Sequence, residues 1–328
     1  PDGLPVLQSV EEVQTLDGRG ANSLDLQHHL ALGAGVGMVV FPDMALFEVC
    51  ILATMLAATD AALGKGVVTN KAVPARIRES LNVESGLNDG LCVPVLLVFL
   101  ALATGAGGES GSNVLALKLV AKEIGIGMGV AVVITLVGVK LISIGAQRDW
   151  FTDVWKQIPV VTLALACFAT AQTLHGSGYI AAFVGGLLFG HLAKEHTHKL
   201  VMAGEGIAEL LAMLTWVLFG GIVGKYLVGM TLDVVIYSLL SLTLIRMLPN
   251  IIALTGLGEK LETKLFLAWF GPRGLASIVF CIIVMNADLP SESVLIHTVA
   301  CTVMLCVLAH GLTANAWAKG IARRLKSE

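Results

Sequence analysis

Charge is scarce in this sequence. Asp, Glu, Lys and Arg supply 14% of its 328 residues, whereas apolar residues supply 56%. Soluble domains carry about 25% charged residues, so this chain has too little charge to cover a water-facing surface. A mean hydropathy of +0.83 points the same way: an integral membrane protein. CxxC spacing is also absent. Cys50, Cys92, Cys167, Cys281, Cys301 and Cys306 are scattered through apolar runs, which excludes a disulfide framework and a zinc site and leaves small buried hydrophobes. No basic-then-apolar leader opens the chain. Residues 1–27 are polar, with Glu11, Glu12, Asp17, Arg19 and Asp25, and are expected to be a non-native or disordered segment. There is no nucleotide-binding loop, no Ser-His-Asp order and no soluble stretch long enough for an ATPase, and no nucleic-acid partner is expected.

What the chain does have is long apolar runs. Ten segments follow from His28 onward, at 30–42, 44–63, 83–104, 116–145, 158–173, 177–191, 206–224, 230–256, 263–286 and 293–317. They reach or approach the ~20 residues of a spanning helix and lack the alternation of barrel strands. The expected fold is therefore an all-α polytopic membrane protein with about ten transmembrane helices. Basic residues alternate between loops. The loops 64–82, 146–157, 192–205 and 257–264 and the tail 318–328 are rich in Lys and Arg, whereas Lys225 alone occupies the intervening loops. Positive charge stays on the inner side, so the basic loops and the C-terminus are expected in the cytoplasm.

Against this background a few polar residues stand out. Val83-Glu84-Ser85-Gly86-Leu87-Asn88-Asp89-Gly90 lies in the run that continues to Ala103. An ionisable group at bilayer depth costs at least ~2.5–3.5 kcal/mol and is a functional candidate by default. At roughly 100° per residue, with Glu84 at zero, Asn88 falls near 40°, Ser85 near 100° and Asp89 near 140°. All four oxygen-bearing side chains share one face. Hard oxygen ligands suit a hard cation; the alternative is a buried polar network joining helices. Thr59 and Asp60 end the preceding segment, either as interfacial residues or as part of a shared site. Arg246 and Arg273 lie inside apolar stretches and need partners. Gly271-Pro272-Arg273-Gly274 weakens the helix there, and irregular backbone at this depth must be buried or line a wet cavity. His191, His196 and His198 fall in a basic loop and read as a solvated cluster. Gly176-Ser177-Gly178 reads as a tight turn between two spans.

These residues resemble the NhaP-type sodium/proton antiporters of the monovalent cation:proton antiporter-1 family. The resemblance rests on Thr59-Asp60, on Arg76-Ile77-Arg78 followed by Leu81-Asn82-Val83-Glu84-Ser85-Gly86-Leu87-Asn88-Asp89-Gly90, on Arg246, and on Trp269-Phe270-Gly271-Pro272-Arg273-Gly274-Leu275-Ala276-Ser277. It covers residues 30 to 318. It implies that Asp89 alternately binds the proton and the cation, and that Asn88 marks an electroneutral branch. Asp60, Thr59 and Ser85 would complete the cation site, Glu84 would pair with Arg246, and Arg273 would sit in a broken helix crossing the one with Asp60. The implied fold has inverted repeats with crossed broken helices. Its core would comprise 28–104 and 229–318, with 105–157 as a linking helix, 158–228 as part of a dimerisation scaffold and 319–328 as a cytoplasmic tail. The first three of the family's thirteen helices are not represented, and Ala61 stands where many relatives have proline.

The implied function is secondary transport, with no cofactor and no enzymatic step. A monovalent cation, sodium ahead of lithium or potassium, would exchange for a proton across the cell membrane, and the full-length family implies a homodimer. Burial disfavours a charged Asp89, and either ligand relieves that cost, so proton and cation compete at one carboxylate. Two rivals are a truncated, inactive homologue and an intramembrane aspartyl protease using Asp60 and Asp89. The protease lacks Gly-x-Gly-Asp at either aspartate and leaves Asn88, Glu84 and the arginines without a role.

Overall fold

The computed structural model describes residues 21–60, 63, 67, 70, 73–105, 113–148, 150, 158–192, 197–255 and 260–326. The described residues form twelve helices and no strand: α1 Ala21–Val40, α2 Leu46–Met55, α3 Ala75–Ala103, α4 Asn113–Gln147, α5 Ile158–Thr173, α6 Gly178–Leu192, α7 Thr197–Leu227, α8 Leu232–Leu242, α9 Leu244–Ala253, α10 Leu261–Trp269, α11 Leu275–Met285 and α12 Glu292–Lys326. Five stretches are long and apolar enough to cross a membrane by length and composition: Ser80–Ala103, Leu117–Gly145, Gly206–Tyr226, Leu232–Ala253 and Glu292–Ile321. The last two of these differ in regularity. The span Leu232–Ala253 bends at Thr243 between α8 and α9, where the Thr243 hydroxyl donates to the Leu239 carbonyl at 2.7 Å; such back-bonding bends helices.

Two compact units emerge, Pro1–Thr104 with Ile222–Glu328, and Gly105–Gly221. In the second unit α4, α5 and α6 pack on one another around Val130, Ala131, Cys167, Ala171 and Ala181. Small side chains let the helix backbones approach closely. In the first unit α2 lies between α1 and α3, α9 packs on α1 and α10, and α12 packs on α8 and α11. Val67, Val73, Ile77, Leu81, Phe266, Phe270, Ala318 and Ile321 form a buried apolar cluster in it.

Besides the span that divides at Thr243, two more of the apolar runs are not continuous helices. Among the described residues of the run 44–63, Leu46 to Met55 are helical, Leu56 and Ala57 turn, and Ala58 to Asp60 belong to no regular element. The run 263–286 divides into α10 and α11, with 270–274 outside both. A proline N–H is missing at 272, and tertiary partners take the backbone groups that each break releases, as membrane depth requires. The cysteines are all free thiols.

Candidate functional site

The two breaks meet in the interior of the first unit. The Asp60 N–H donates to the Pro272 carbonyl at 2.7 Å. The Asp60 carboxylate accepts from the Leu275 N–H at 2.9 Å and from the Leu63 N–H at 3.3 Å. It therefore caps the first turn of α11, where orphan N–H groups and the positive end of the helix dipole favour an anion. Arg273 supplies the reverse arrangement. Its Nη1 donates to the carbonyls of Ala57 at 3.1 Å and Ala58 at 3.4 Å, just past the end of α2. A cation there answers the negative end of the dipole. Each broken helix thus places a charge on the open end of the other.

Both glycines of Gly-Pro-Arg-Gly are explained by close approach. A Cβ on Gly271 would run into the Arg246 guanidinium, and one on Gly274 into the Asp60 carboxylate. We expect Gly274→Ala to lower stability by about 1–3 kcal/mol, as overpacking of a tight core does. Asp60 cannot swing away without abandoning its helix cap. Unchanged thermal unfolding of Gly274→Ala in detergent would contradict this geometry.

Helix α3 carries Glu84, Ser85, Asn88 and Asp89 into the same region. Ser85 and Asn88 are buried, and Ser85 Oγ accepts from Thr59 Oγ1 at 3.2 Å. The Asp89 carboxylate receives the Thr59 backbone N–H and lies near enough to Asp60 for their charges to interact. Glu84 forms an ion pair with Arg246. Arg246 and Arg273 are each 1% exposed, so neither guanidinium is satisfied by bulk water. Several buried polar atoms have no hydrogen-bond partner among the described residues: Asn88 Nδ2, Asp89 Oδ1, Ser277 Oγ, and Arg273 Nε and Nη2. Buried polar groups are ordinarily paired, so each of these atoms is open to a further partner.

The structure therefore brings Thr59, Asp60, Ser85, Asn88, Asp89 and Arg273 into one neighbourhood, with Glu84 and Arg246 paired beside it. Of the three histidines singled out in the sequence, His191 is exposed at the end of α6, and His196 and the side chain of His198 lie outside what the structure describes. Among the described residues no group of three His, Cys, Asp or Glu side chains is placed to hold a metal ion.

Other contributors were not legible in the sequence. Glu48 is buried and accepts from the Ser291 N–H at 2.9 Å and the Ser291 hydroxyl at 2.8 Å, joining α2 to the start of α12. His29 Nε2 contacts the Arg246 carbonyl at 2.9 Å, and the Tyr237 hydroxyl donates to the Gly33 carbonyl at 3.0 Å. The carboxylate at 48, close to the start of an apolar run, was the one available signal. The histidine and tyrosine contacts link residues more than 200 positions apart in sequence and left none.

Two broken helices crossing at a buried carboxylate and a buried arginine, within a helical membrane protein, define the class: a transporter fold. The pattern of the family described as sodium/hydrogen exchanger, transmembrane, matches residues 28–320. The chain belongs to this family. Among solved structures, the sodium proton antiporter MjNhaP1 from Methanocaldococcus jannaschii shares the fold, with a TM-score of 0.71 and 21% identity, over 98% of this chain and 81% of that one. The K(+)/H(+) antiporter NhaP2 of Shewanella oneidensis is 20% identical over 297 residues, which is 84% of this chain and 48% of the relative. The Low-affinity Na(+)/H(+) antiporter NhaS1 of Synechocystis is 23% identical over 307 residues, 88% of this chain and 56% of the relative. The chain spans about half the length of these curated relatives.

Proposed function

We propose that this chain carries the ion-translocating site of a monovalent cation:proton antiporter. The observation that supports it best is the buried pair of aspartates. Asp60 is held by backbone N–H groups at the start of α11, while Asp89 keeps one carboxylate oxygen without a partner among the described residues. In this reading Asp60 is the fixed carboxylate, held by its N–H donors as the cap of α11. Asp89 is the exchanging group. A buried charge is costly, and either a proton or a cation relieves it. The two ligands then exclude one another, and that exclusion couples their movements.

Thr59, Ser85 and Asn88 supply neutral oxygens beside Asp89, and Arg273 balances the pair of carboxylates. Glu84 and Arg246 hold α3 against α9. Residues 28–104 and 229–318 make up the translocating core, 105–157 the linking helix and 158–228 part of the scaffold, and the full-length protein is a homodimer in the cell membrane. The basic loops and the C-terminus face the cytoplasm. Sodium is the first choice of cation. Relatives named for potassium and for sodium both match the chain, so lithium and potassium belong in the same test. The test is a proteoliposome assay with a pH-sensitive dye, in which sodium, lithium or potassium is added to vesicles holding an imposed pH gradient. Proton efflux driven by at least one of them is expected, and silence with all three would refute the proposal.

Charge balance is a separate expectation. Asn88 offers a carbonyl oxygen but no titratable proton, so only Asp89 cycles. One proton then moves against one monovalent cation, and exchange should be electrically silent. A potential of 100 mV is worth about 2.3 kcal/mol per net charge moved, so even one uncompensated charge would be conspicuous. Initial rates that shift with a potassium-valinomycin potential, at fixed pH gradient, would show that a second proton moves.

A further inference from the structure

The break in the α10–α11 segment opens one particular hydrogen bond. In a continuous α-helix the Arg273 N–H would donate to the carbonyl four residues back, that of Trp269. Here the chain leaves α10 through Phe270 at φ −81° and ψ 62°, an inverse γ-turn. The Gly271 N–H closes this turn on the Trp269 carbonyl at 2.9 Å. Pro272 has no N–H to offer. The Arg273 N–H and the second lone pair of the Trp269 carbonyl are left to find other partners.

Both find them on one helix. On α12, Cys306 and His310 stand four residues apart on one face, and both are buried. The Arg273 N–H donates to Cys306 Sγ at 2.9 Å. His310 Nε2 lies 2.8 Å from the Trp269 carbonyl, and its Nδ1 lies 3.2 Å from Cys306 Sγ. A carbonyl only accepts, so Nε2 carries the ring proton. On a neutral ring Nδ1 is then an acceptor, and the thiol S–H is the donor that faces it. The ring is buried, where a charged imidazolium would be costly, and Arg246 and Arg273 already place two cations close by, so it is neutral. The Cys306 carbonyl also lies 3.0 Å from Nδ1; with the single ring proton on Nε2, the shorter contact at 2.8 Å, this is an approach of two acceptors and no hydrogen bond. Trp269 also stacks on the imidazole, with ring centroids 5.0 Å apart at 23°, and donates its indole N–H to Thr313 at 3.0 Å.

We propose that Cys306 and His310 form a hydrogen-bonded bridge that replaces one of the backbone bonds lost at the break, the one from the Arg273 N–H to the Trp269 carbonyl. The chain of donors runs from Arg273 N–H to the thiol, from the thiol to Nδ1, and from Nε2–H to the Trp269 carbonyl. Cys306 and His310 are positioning residues. They hold the backbone of Arg273, and through Gly274 and Leu275 the cap on Asp60, in the register the site requires. The purpose assigned to the bridge rests on the exchange reading above; its existence does not.

The test reads both. Amide hydrogen exchange of the purified protein is followed across Phe270–Leu275, with Cys306→Ala, His310→Leu, the double variant and Cys306→Ser. Each single disruption should speed exchange of the Arg273 amide about five- to tenfold, the change in opening equilibrium that one net hydrogen bond is worth. The double variant should add little, because either single change already cuts the same chain. Cys306→Ser, whose hydroxyl both accepts and donates, should stay near wild type. Exchange unchanged in Cys306→Ala or His310→Leu overturns the bridge. Should those variants not fold, the infrared difference between wild type and Cys306→Ser isolates the Cys306 S–H stretch. A band shifted below the other thiols supports donation to His310, and a band at the free-thiol position overturns it. Neither measurement needs transport, so the bridge is decided even if the vesicles exchange no cation. Where they do, Cys306→Ala should raise the half-saturating cation concentration and Cys306→Ser should restore it. A half-saturating concentration unmoved in Cys306→Ala would deny the bridge its positioning role.

Discussion

Asp89→Asn is expected to abolish cation–proton exchange while leaving the protein folded and inserted. The amide keeps the volume of the carboxylate and still receives the Thr59 backbone N–H. It can neither release a proton nor neutralise a bound cation, and those are the two states between which the proposed cycle alternates. Folding should be spared, because removing a buried charge removes a desolvation cost. Expression and detergent melting serve as controls, and proton flux driven by sodium, lithium or potassium in vesicles is the readout. Flux at the wild-type rate in Asp89→Asn would remove Asp89 from the mechanism.

Breaking the Glu84–Arg246 pair should cost the most stability. Arg246 is 1% exposed and packs against Gly271, while its backbone carbonyl meets His29. Removing one partner of a buried pair strands the other charge, at roughly 3–5 kcal/mol, whereas removing both is often close to neutral. Glu84→Gln and Arg246→Met should therefore each lower the melting temperature in detergent, and the double variant should recover part of the loss. Two losses that simply add would show that the pair contributes no coupling. The double variant also separates stability from transport. If the pair is structural, restored folding should bring back some exchange.

Hydropathy and side-chain chemistry act locally, and what depends on them alone is legible in the sequence. Apolar runs must become helices in a bilayer, because no other local structure satisfies the backbone without water. Family membership was legible from the run at Glu84–Gly90 and from Gly271–Gly274. Polar residues inside apolar runs were equally visible, since each is expensive wherever it lands. Helix boundaries were less accessible. The run 44–63 carries no glycine or proline at 55–60, yet its helix ends at Met55 because Asp60 and the carbonyls of Ala57 and Ala58 are claimed by residues more than 200 positions away.

The sequence by itself determined that this is a helical membrane protein, which segments are apolar, and which few residues must find partners inside them. Each of those follows from transfer energies of single residues and short windows. Only the tertiary structure decided the pairings: Asp60 with the start of α11, Arg273 with the end of α2, Glu48 with Ser291, and Cys306 and His310 with the break at Trp269. Hydrogen bonds and ion pairs depend on positions to within fractions of an ångström, and distant segments reach those positions only when the whole unit has packed.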